Sequence, residues 1–189
     1  MADVVHVQFA GAVNNNDWVY GETGTDERMA QTFAPTADIV CPKVILCVSN
    51  EGSATDNLIC RIETTSSGTP TGTLVDANAT VTLAGTGIAA YTSQAANQYT
   101  FTFPATFNLT NGTTYAIVLS RSGARDTLKR YAWLIRTLGG YDGGQYYQRD
   151  SGTWNNGSEA GDAIFAVYER VADTTAGAFL TPNTKFWGA

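Results

Sequence analysis

Apolar and polar residues alternate with a period of two in several short segments of this chain. The alternation is clearest where Tyr99, Phe101 and Phe103 are separated by threonines. Two earlier segments place three apolar residues on one predicted face: Val44, Leu46 and Val48, and then Leu58, Cys60 and Ile62. Because successive side chains of a strand point to opposite faces, this period predicts half-buried β-strands.

Turn signals separate these segments. Asn111 followed by Gly112 is typical of a tight hairpin turn. Further strands are predicted at residues 31–34, 79–83, 115–120, 131–135, 145–148 and 163–168. The best helical candidate, residues 126–138, contains an apolar run that is equally typical of a strand. Strands and turns at roughly 8–12-residue spacing predict an all-β fold, a jelly-roll β-sandwich of two antiparallel sheets.

The pattern divides the chain into three parts. Residues 29–169 form the predicted sandwich, between an N-terminal arm (1–28) and a C-terminal tail (170–189). The arm contains a predicted strand without a partner of its own, which we expect to add to the sheet edge of another subunit. The tail is expected to dock on the sandwich or on a neighbouring subunit. The predicted anchoring residues are Val5, Val7, Phe9, Trp18, Phe179, Phe186 and Trp187.

Charge and composition narrow the function classes. The 189 residues include 17 acidic and 11 basic side chains, and the net charge of −6 argues against nucleic-acid binding, which needs a basic face. A hydrophobic fraction of 43% excludes a disordered chain. No run approaches the ~18 apolar residues of a membrane-spanning helix. The first residues also lack the basic and apolar regions of a secretory signal peptide.

No constellation in the sequence is typical of an enzyme or a metal site. His6 is the only imidazole and lies at a polar position of the arm, so we expect a solvated or interfacial role rather than catalysis. The three cysteines, Cys41, Cys47 and Cys60, are expected to be small buried hydrophobes, with a Cys47–Cys60 disulfide as the alternative. The scattered carboxylates lack a calcium-loop pattern. We therefore expect no enzymatic activity, no cofactor and no metal.

The most unusual segment, residues 139–157, combines aromatic residues with Gly, Asn and Asp. Aromatic faces stack on the C–H faces of sugar rings, while short polar side chains bond to sugar hydroxyls. The candidate glycan-binding residues are Tyr141, Tyr146, Tyr147 and Trp154, joined by Trp133 from the preceding strand. The alternative is a β-hairpin whose aromatic side chains pack as cross-strand pairs.

Five of the chain's 11 basic residues lie close together in sequence, at Arg121, Arg125, Lys129, Arg130 and Arg136. On an acidic protein, this local reversal of charge predicts docking to an acidic surface, such as an acidic shell subunit or an anionic polysaccharide. The alternative is a solvated loop that flanks a strand.

Seven segments together carry a resemblance to a known group of domains. They are residues 30–33, 45–48, 68–74, 99–103, 109–119, 143–154 and 162–168. Their order and spacing resemble the jelly-roll modules of bacteriophage virion proteins and bacterial surface proteins, a group that includes the choice-of-anchor domains. These modules are similar in fold to carbohydrate-binding modules. The resemblance covers residues 29–169 and rests on core and turn residues, so it marks the fold more than the function.

The resemblance implies a non-enzymatic structural protein of a phage virion, assembled in the host cytoplasm. Such a protein decorates or cements the capsid, or forms a head spike or fibre. Its implied partners are the major capsid protein or other virion subunits, with a homotrimer or another symmetric homo-oligomer as the assembly. The alternative is a carbohydrate-binding module or adhesin that recognises bacterial surface glycans, on a phage tail or as a secreted surface protein.

Overall fold

The computed structural model describes residues 1–10, 12–13, 15–19, 27–137, 141–157 and 161–172. Strands dominate this part of the chain. The first seven are β1 (Ala2–Phe9), β2 (Asn15–Val19), β3 (Arg28–Phe33), β4 (Ile39–Glu51), β5 (Leu58–Ser66), β6 (Thr69–Leu74) and β7 (Thr80–Leu83). The others are β8 (Gln98–Leu109), β9 (Tyr115–Arg121), β10 (Arg130–Thr137), β11 (Tyr146–Asp150), β12 (Thr153–Asn156), β13 (Gly161–Ala163) and β14 (Phe165–Val171). The only helical element among these residues is a short 3₁₀ turn at Gly85–Gly87, and the helical candidate is strand β10.

The strands form two antiparallel sheets. In the first sheet, the long strand β4 pairs with β8 and with successive stretches of β14 and β10, while β1 pairs with β14 and β2 and β13 pair with β10. The second sheet has the order β12-β11-β3-β9-β5, and both β6 and β7 pair with β5. The prediction of an all-β sandwich of two antiparallel sheets is confirmed.

The core lies between the inner faces of the two sheets. The alternation in the sequence identifies these faces correctly: Val44, Leu46 and Val48 of β4 and Leu58, Cys60 and Ile62 of β5 are all fully buried. Aromatic rings fill the space between them, as where the Phe33 and Phe165 rings meet at a centroid distance of 6.2 Å. Each such side chain contributes about 1.5–3 kcal/mol through removal of apolar surface from water.

Strand β1 belongs to the first sheet. It pairs with β14 from Ala2 opposite Val171 to Phe9 opposite Phe165, and Val7 is buried. The expectation that this segment forms a strand without a partner is wrong, because β14 offers it an edge within the same chain. The sheet therefore includes residues of the expected arm, and β2 joins it through β10.

The remaining anchoring residues are not placed. The side chain of Trp18 and the whole of Phe179, Phe186 and Trp187 lie outside the described residues. An anchoring role for them stays a prediction.

The arginine-rich segment is tied to acidic groups of its own chain. The Arg121 guanidinium donates through Nε and Nη2 to the two carboxylate oxygens of Asp56. Arg130 Nη2 lies 3.2 Å from Glu51 Oε2. Arg125 Nε lies 3.3 Å from Glu27 Oε2. Because three of the five basic side chains are paired in this way, the structure favours the interpretation as a loop beside a strand over docking to an acidic partner.

Candidate functional site

The β11–β12 hairpin separates the aromatic residues of the unusual segment onto two faces. Tyr146 points into the core and is fully buried. Tyr147 and Trp154 are half-buried and pack on the opposite, outer side of the second sheet, against Ala30, Ala116 and Val118. Adjacent strand residues face opposite ways, so the two neighbouring tyrosines cannot share one face.

Two of the predicted glycan-binding residues are core residues. Trp133 has no exposed surface, and its Nε1 donates a hydrogen bond to the Ile164 carbonyl at 3.0 Å. Tyr146 is enclosed to the same degree. The expectation that these two side chains contact a sugar is therefore wrong, because the space between the sheets takes up both.

Tyr141 also turns toward the core. Its ring packs edge-on against Phe165 at a centroid distance of 5.3 Å and against Phe9 at 6.4 Å. Its backbone N–H donates to Asp162 Oδ2 at 2.7 Å, and burial raises the pKa of its phenol. Tyr141 thus helps to fix the segment before β11 to strands β1 and β14, and it is apart from the face that holds Tyr147 and Trp154.

Glycines let the hairpin approach its neighbours closely. A side chain at Gly144 would collide with the carbonyl of Thr32, and one at Gly157 would collide with the ring of Tyr146. The close approach lets the Thr32 N–H donate to the Gln145 carbonyl at 3.0 Å and the Gln145 N–H donate to the Thr32 hydroxyl at 2.7 Å. The glycines of this segment therefore have a structural role, which is to seat β11 on β3.

The pairing register places two rows of side chains beside each other on the outer side of the second sheet. One row runs from Tyr147 through Ala30 and Val118 to Arg61. The adjacent row contains Trp154, Arg149 and Arg28. We call this surface the outer face; it comprises Arg28, Ala30, Arg61, Glu63, Ala116, Val118, Ser120, Tyr147, Arg149 and Trp154. Within it the Arg149 guanidinium lies 5.5 Å from the centre of the Trp154 ring, at cation–π distance.

Polar atoms of the outer face are buried without hydrogen-bond partners. Glu63 Oε2 accepts a hydrogen bond from the Gly72 N–H at 2.8 Å, but Glu63 Oε1 accepts none. Ser120 Oγ and Trp154 Nε1 are likewise buried without a hydrogen-bond partner. Buried polar atoms in proteins are as a rule hydrogen-bonded, so these atoms are an unusual feature of the outer face.

The electrostatics of the outer face centre on Glu63. Burial raises the pKa of this carboxyl, while the Gly72 N–H and the charges of Arg61, Arg28 and Arg149 act in the opposite direction. The charges of all three arginines therefore act on the pKa of this one carboxyl. No local sequence pattern predicts this group, because its members come from β3, β5 and β11, which are distant along the chain.

Both nitrogens of the His6 ring contact other residues of the same chain. Its Nδ1 lies 3.2 Å from Glu169 Oε2, and its Nε2 accepts a hydrogen bond from the Thr36 N–H at 3.1 Å. Both ring nitrogens thus join β1 to other parts of the same chain. The position is close to the irregularity in the β1–β14 pairing between Val5 and Val7.

All three cysteines are free and buried. The Cys47–Cys60 disulfide is wrong: Cys60 lies in the core, whereas Cys47 packs with Ala132 and Leu134 in a separate cluster and its thiol is 3.5 Å from the Gln94 carbonyl. Burial raises the pKa of Cys41 to about 12 and that of Cys47 to about 11.

Within the described ranges, no three His, Cys, Asp or Glu side chains converge as a metal-binding group. In the same residues, no helix has the length and apolar character needed to cross a membrane. Comparison with protein-family models and with curated proteins finds no match for this chain. What the fold and the site define is therefore a class: an all-β sandwich with an aromatic and arginine-rich outer face on one sheet.

Proposed function

We propose that the protein is a non-enzymatic binding module that takes up a saccharide on the outer face. The observation that carries this proposal is the position of Tyr147 and Trp154, which pack side by side on one face against a floor of small residues. Both side chains are half-buried, so each ring is fixed by the sheet and still reaches the surface.

The chemistry of the outer face suits a sugar. Sugar rings offer apolar C–H faces, which pack on the planes of Tyr and Trp, and hydroxyls, which need hydrogen-bond donors and acceptors. Tyr147 and Trp154 are diagonal neighbours on the paired strands β11 and β12. The Cα atoms of such neighbours lie about 7–8 Å apart, so one oligosaccharide can span both side chains. Short polar side chains of the same hairpin, Asn155 and Asn156, are exposed and can bond to sugar hydroxyls.

The test is binding to a glycan array by the wild type and by Tyr147→Ala and Trp154→Ala. Each variant is expected to lose about tenfold or more in affinity, because an aromatic contact is removed from the ligand. Tyr91→Ala is the matched control, since Tyr91 is 49% exposed and lies away from the outer face. Circular dichroism checks that the variants fold. The absence of glycan binding, or binding that both variants retain, contradicts the proposal.

A second candidate function, a structural role in a phage virion, is favoured by the edge of the first sheet. Among the described residues β1 pairs only with β14, so its other backbone edge has no partner. Val4 and Val5 on this strand are 39% and 42% exposed. A strand edge with apolar residues is suited to pairing with a strand of another subunit. The proposed partners are further copies of this chain, as a homotrimer or another symmetric oligomer, and the capsid shell. Both functions are compatible on one protein.

Sedimentation velocity tests self-association through this edge. The double variant Val4→Lys/Val5→Lys places two charges beside the open edge and is expected to sediment as a monomer, while the wild type sediments as an oligomer. Val40→Lys is the matched control, because Val40 is 38% exposed on strand β4. A monomeric wild type, or an oligomer that the double variant leaves intact, contradicts assembly through β1.

A further inference from the structure

The outer side of the first sheet carries a row of side chains that differ in length. Gln8 of β1 lies opposite Ala166 of β14, and Ala166 lies opposite Ile45 of β4. Opposed residues of paired strands project to the same face of a sheet, and their neighbours along each strand project to the other face. Because the neighbours Leu46 and Val167 are fully buried in the core, this row lies on the outer side.

A small pocket lies where the short side chain of Ala166 stands between longer ones. Its lining includes the row of three together with Cys47, Gln98 and Tyr168. Its volume is about 90 Å³. Pockets that enclose a whole small molecule have volumes of roughly 300–1,000 Å³, so this pocket has room for one substituent of a larger ligand. We call it the Ala166 pocket.

The Ala166 pocket combines apolar surface with two amide groups. Ala166 and Ile45 are only partly buried and offer methyl groups to a ligand. The side chains of Gln8 and Gln98 are exposed, and neither forms a hydrogen bond within the part of the chain that the structure describes. Each of these amides provides N–H donors and a carbonyl acceptor. Together they match a ligand group that has a methyl end and an amide of its own.

The charges beside the pocket are balanced within the chain. Lys43 Nζ lies 3.3 Å from Asp3 Oδ2, and Arg170 Nε donates to Asp3 Oδ1 at 3.0 Å. Lys43 Nζ also lies 4.6 Å from the centre of the Tyr168 ring, at cation–π distance, and so restrains this ring at the side of the pocket. None of the described lining residues has a charged side chain. The pocket therefore suits a neutral group.

We propose that the Ala166 pocket binds the acetamido group of an N-acetylated sugar. The methyl group packs on Ala166 and Ile45, and the amide N–H and carbonyl bond to Gln8 and Gln98. One water molecule takes up about 30 Å³ in the liquid, so the volume matches roughly three water-sized groups: a methyl, a carbonyl and an N–H. A sugar ring is larger than this and stays outside the pocket.

The surroundings of the pocket favour a sugar over an acetylated lysine, which carries the same acetamido group. The Tyr168 ring is half-buried and offers a plane for the C–H face of a sugar ring. Thr100 lies opposite Ile45 in the same row and is exposed, so its hydroxyl can bond to a sugar hydroxyl. The Ala166 pocket lies on the first sheet, so this proposal does not depend on saccharide binding by the outer face of the second sheet.

Titration calorimetry with matched neutral ligands tests the chemistry. The N-acetylated probes are the β-1,4-linked trimer of N-acetylglucosamine and the methyl glycoside of N-acetylgalactosamine. Cellotriose is the matched ligand for the trimer, because it has a hydroxyl in place of each acetamido group. Its affinity is expected to be lower by about tenfold or more, since it lacks both the methyl contact and the amide hydrogen bonds. An acetyl-lysine peptide is the third probe.

Variants assign the binding to the pocket. Ala166→Leu fills the space that the acetamido methyl would occupy and is expected to lower affinity for the trimer by about tenfold or more. Thr82→Leu is the matched control, because Thr82 is exposed on β7 of the other sheet. Tyr147→Ala, on the outer face, is expected to leave this affinity unchanged. Circular dichroism checks that each variant folds.

The thiol of Cys47 gives a second readout on the unmodified protein. Cys47 lines the Ala166 pocket, so a bound acetamido group covers the approach to its sulfur. At about ten times its Kd, the trimer leaves roughly one-eleventh of the sites open. The reaction of Cys47 with a disulfide reagent is therefore expected to slow by about tenfold. Cellotriose at the same concentration is expected to protect far less. This measurement tests the pocket even if Ala166→Leu fails to fold.

The outcomes separate this proposal from the function proposed for the outer face. Cellotriose binding as tight as that of the trimer, or no binding of either N-acetylated probe, overturns acetamido recognition. Binding of the acetyl-lysine peptide alone overturns the assignment to a sugar. Trimer binding that Ala166→Leu retains and that leaves Cys47 unprotected overturns the placement in the pocket. If that binding instead requires Tyr147 and Trp154, the function proposed for the outer face stands while this proposal fails.

Discussion

At the scale of single residues, Asp162 shows how one buried carboxylate organises the neighbourhood of the hairpin. Its Oδ1 accepts a hydrogen bond from Gln31 Nε2 at 2.9 Å, and its Oδ2 accepts one from the Tyr141 N–H at 2.7 Å. Gln31 in turn accepts one from the Ala163 N–H at 2.9 Å. The side chain of Asp162 therefore links β3, β13 and the segment before β11.

Asp162→Asn is expected to lower the free energy of unfolding by about 1–3 kcal/mol. The amide NH₂ of Asn would face a donor in place of one carboxylate oxygen, so a buried hydrogen bond is lost. Urea denaturation measures the change. Asp150→Asn is the control, because Asp150 is exposed, and it is expected to change stability by less than about 0.5 kcal/mol. Equal effects of the two substitutions contradict a special role for Asp162.

The same carboxyl predicts a pH dependence. Burial is the main cause that raises the pKa of the Asp162 carboxyl above its ordinary value. The folded state thus holds this proton to a higher pH than the unfolded state, so the stabilising contribution is complete below about pH 4 and is lost as the pH rises through the folded pKa. The stability difference between wild type and Asp162→Asn should therefore shrink in urea titrations as the pH rises above about 4 and passes through the raised pKa of Asp162. A difference that grows with pH would mean that the hydrogen bonds from Gln31 and Tyr141 outweigh burial.

Residue identity alone did not reveal which aromatic side chains are available to a ligand. Tyr146 and Tyr147 have the same chemistry, and alternation says only that they face opposite sides. The pairing with β3 decides, since Tyr146 lies opposite Gln31 and Tyr147 opposite Ala30. Trp133 lies in a run of apolar residues in which no polar neighbour marks the outer side, so its burial was not predictable either.

At the scale of strands, the sequence predicted faces better than partners. The apolar faces of β4, β5 and β8 follow from alternation alone, because a side chain's face depends on its own strand. The partner of β1 is β14, at the other end of the chain, and no local pattern contains that information. The outer face was missed for the same reason, since Arg28, Arg61 and Arg149 come to one side of the sheet only through the register of β3, β9, β5 and β11.

Gly144→Ala tests whether the hairpin depends on close approach to β3. The added Cβ would collide with the Thr32 carbonyl, so we expect β11 to shift, with a loss of about 1–3 kcal/mol in the free energy of unfolding. Gly87→Ala is the control, because a Cβ there meets nothing within 4 Å. Urea denaturation gives the stability, and amide hydrogen exchange shows whether protection falls in β11 and β3. Unchanged exchange in these strands contradicts the argument.

At the scale of the whole molecule, the two surfaces of the proposed function belong to different sheets. The open edge of β1 lies in the first sheet, and the outer face lies on the second. A protein attached to a larger assembly through β1 would therefore not use the outer face for the attachment. This separation is why edge variants and outer-face variants are expected to act on assembly and on glycan binding independently.

The cysteines report on the integrity of the sandwich. All three thiols are buried and free, and burial raises the pKa of Cys41 to about 12, that of Cys47 to about 11 and that of Cys60 further still. Because the thiolate is the reactive form, the folded protein is expected to react slowly with a disulfide reagent near pH 8. The denatured chain should titrate three thiols without a reductant.

Cys47 should react first in the folded state, since its pKa is raised least and it lies beside a small surface pocket of about 90 Å³. The variant Cys47→Ser should therefore lack this first phase of the reaction. Cys60 is fully buried between the sheets, so it is expected to react only after the two sheets separate. One thiol in the denatured chain would indicate a disulfide, and rapid reaction of all three in the folded chain would mean that the two sheets do not enclose this core.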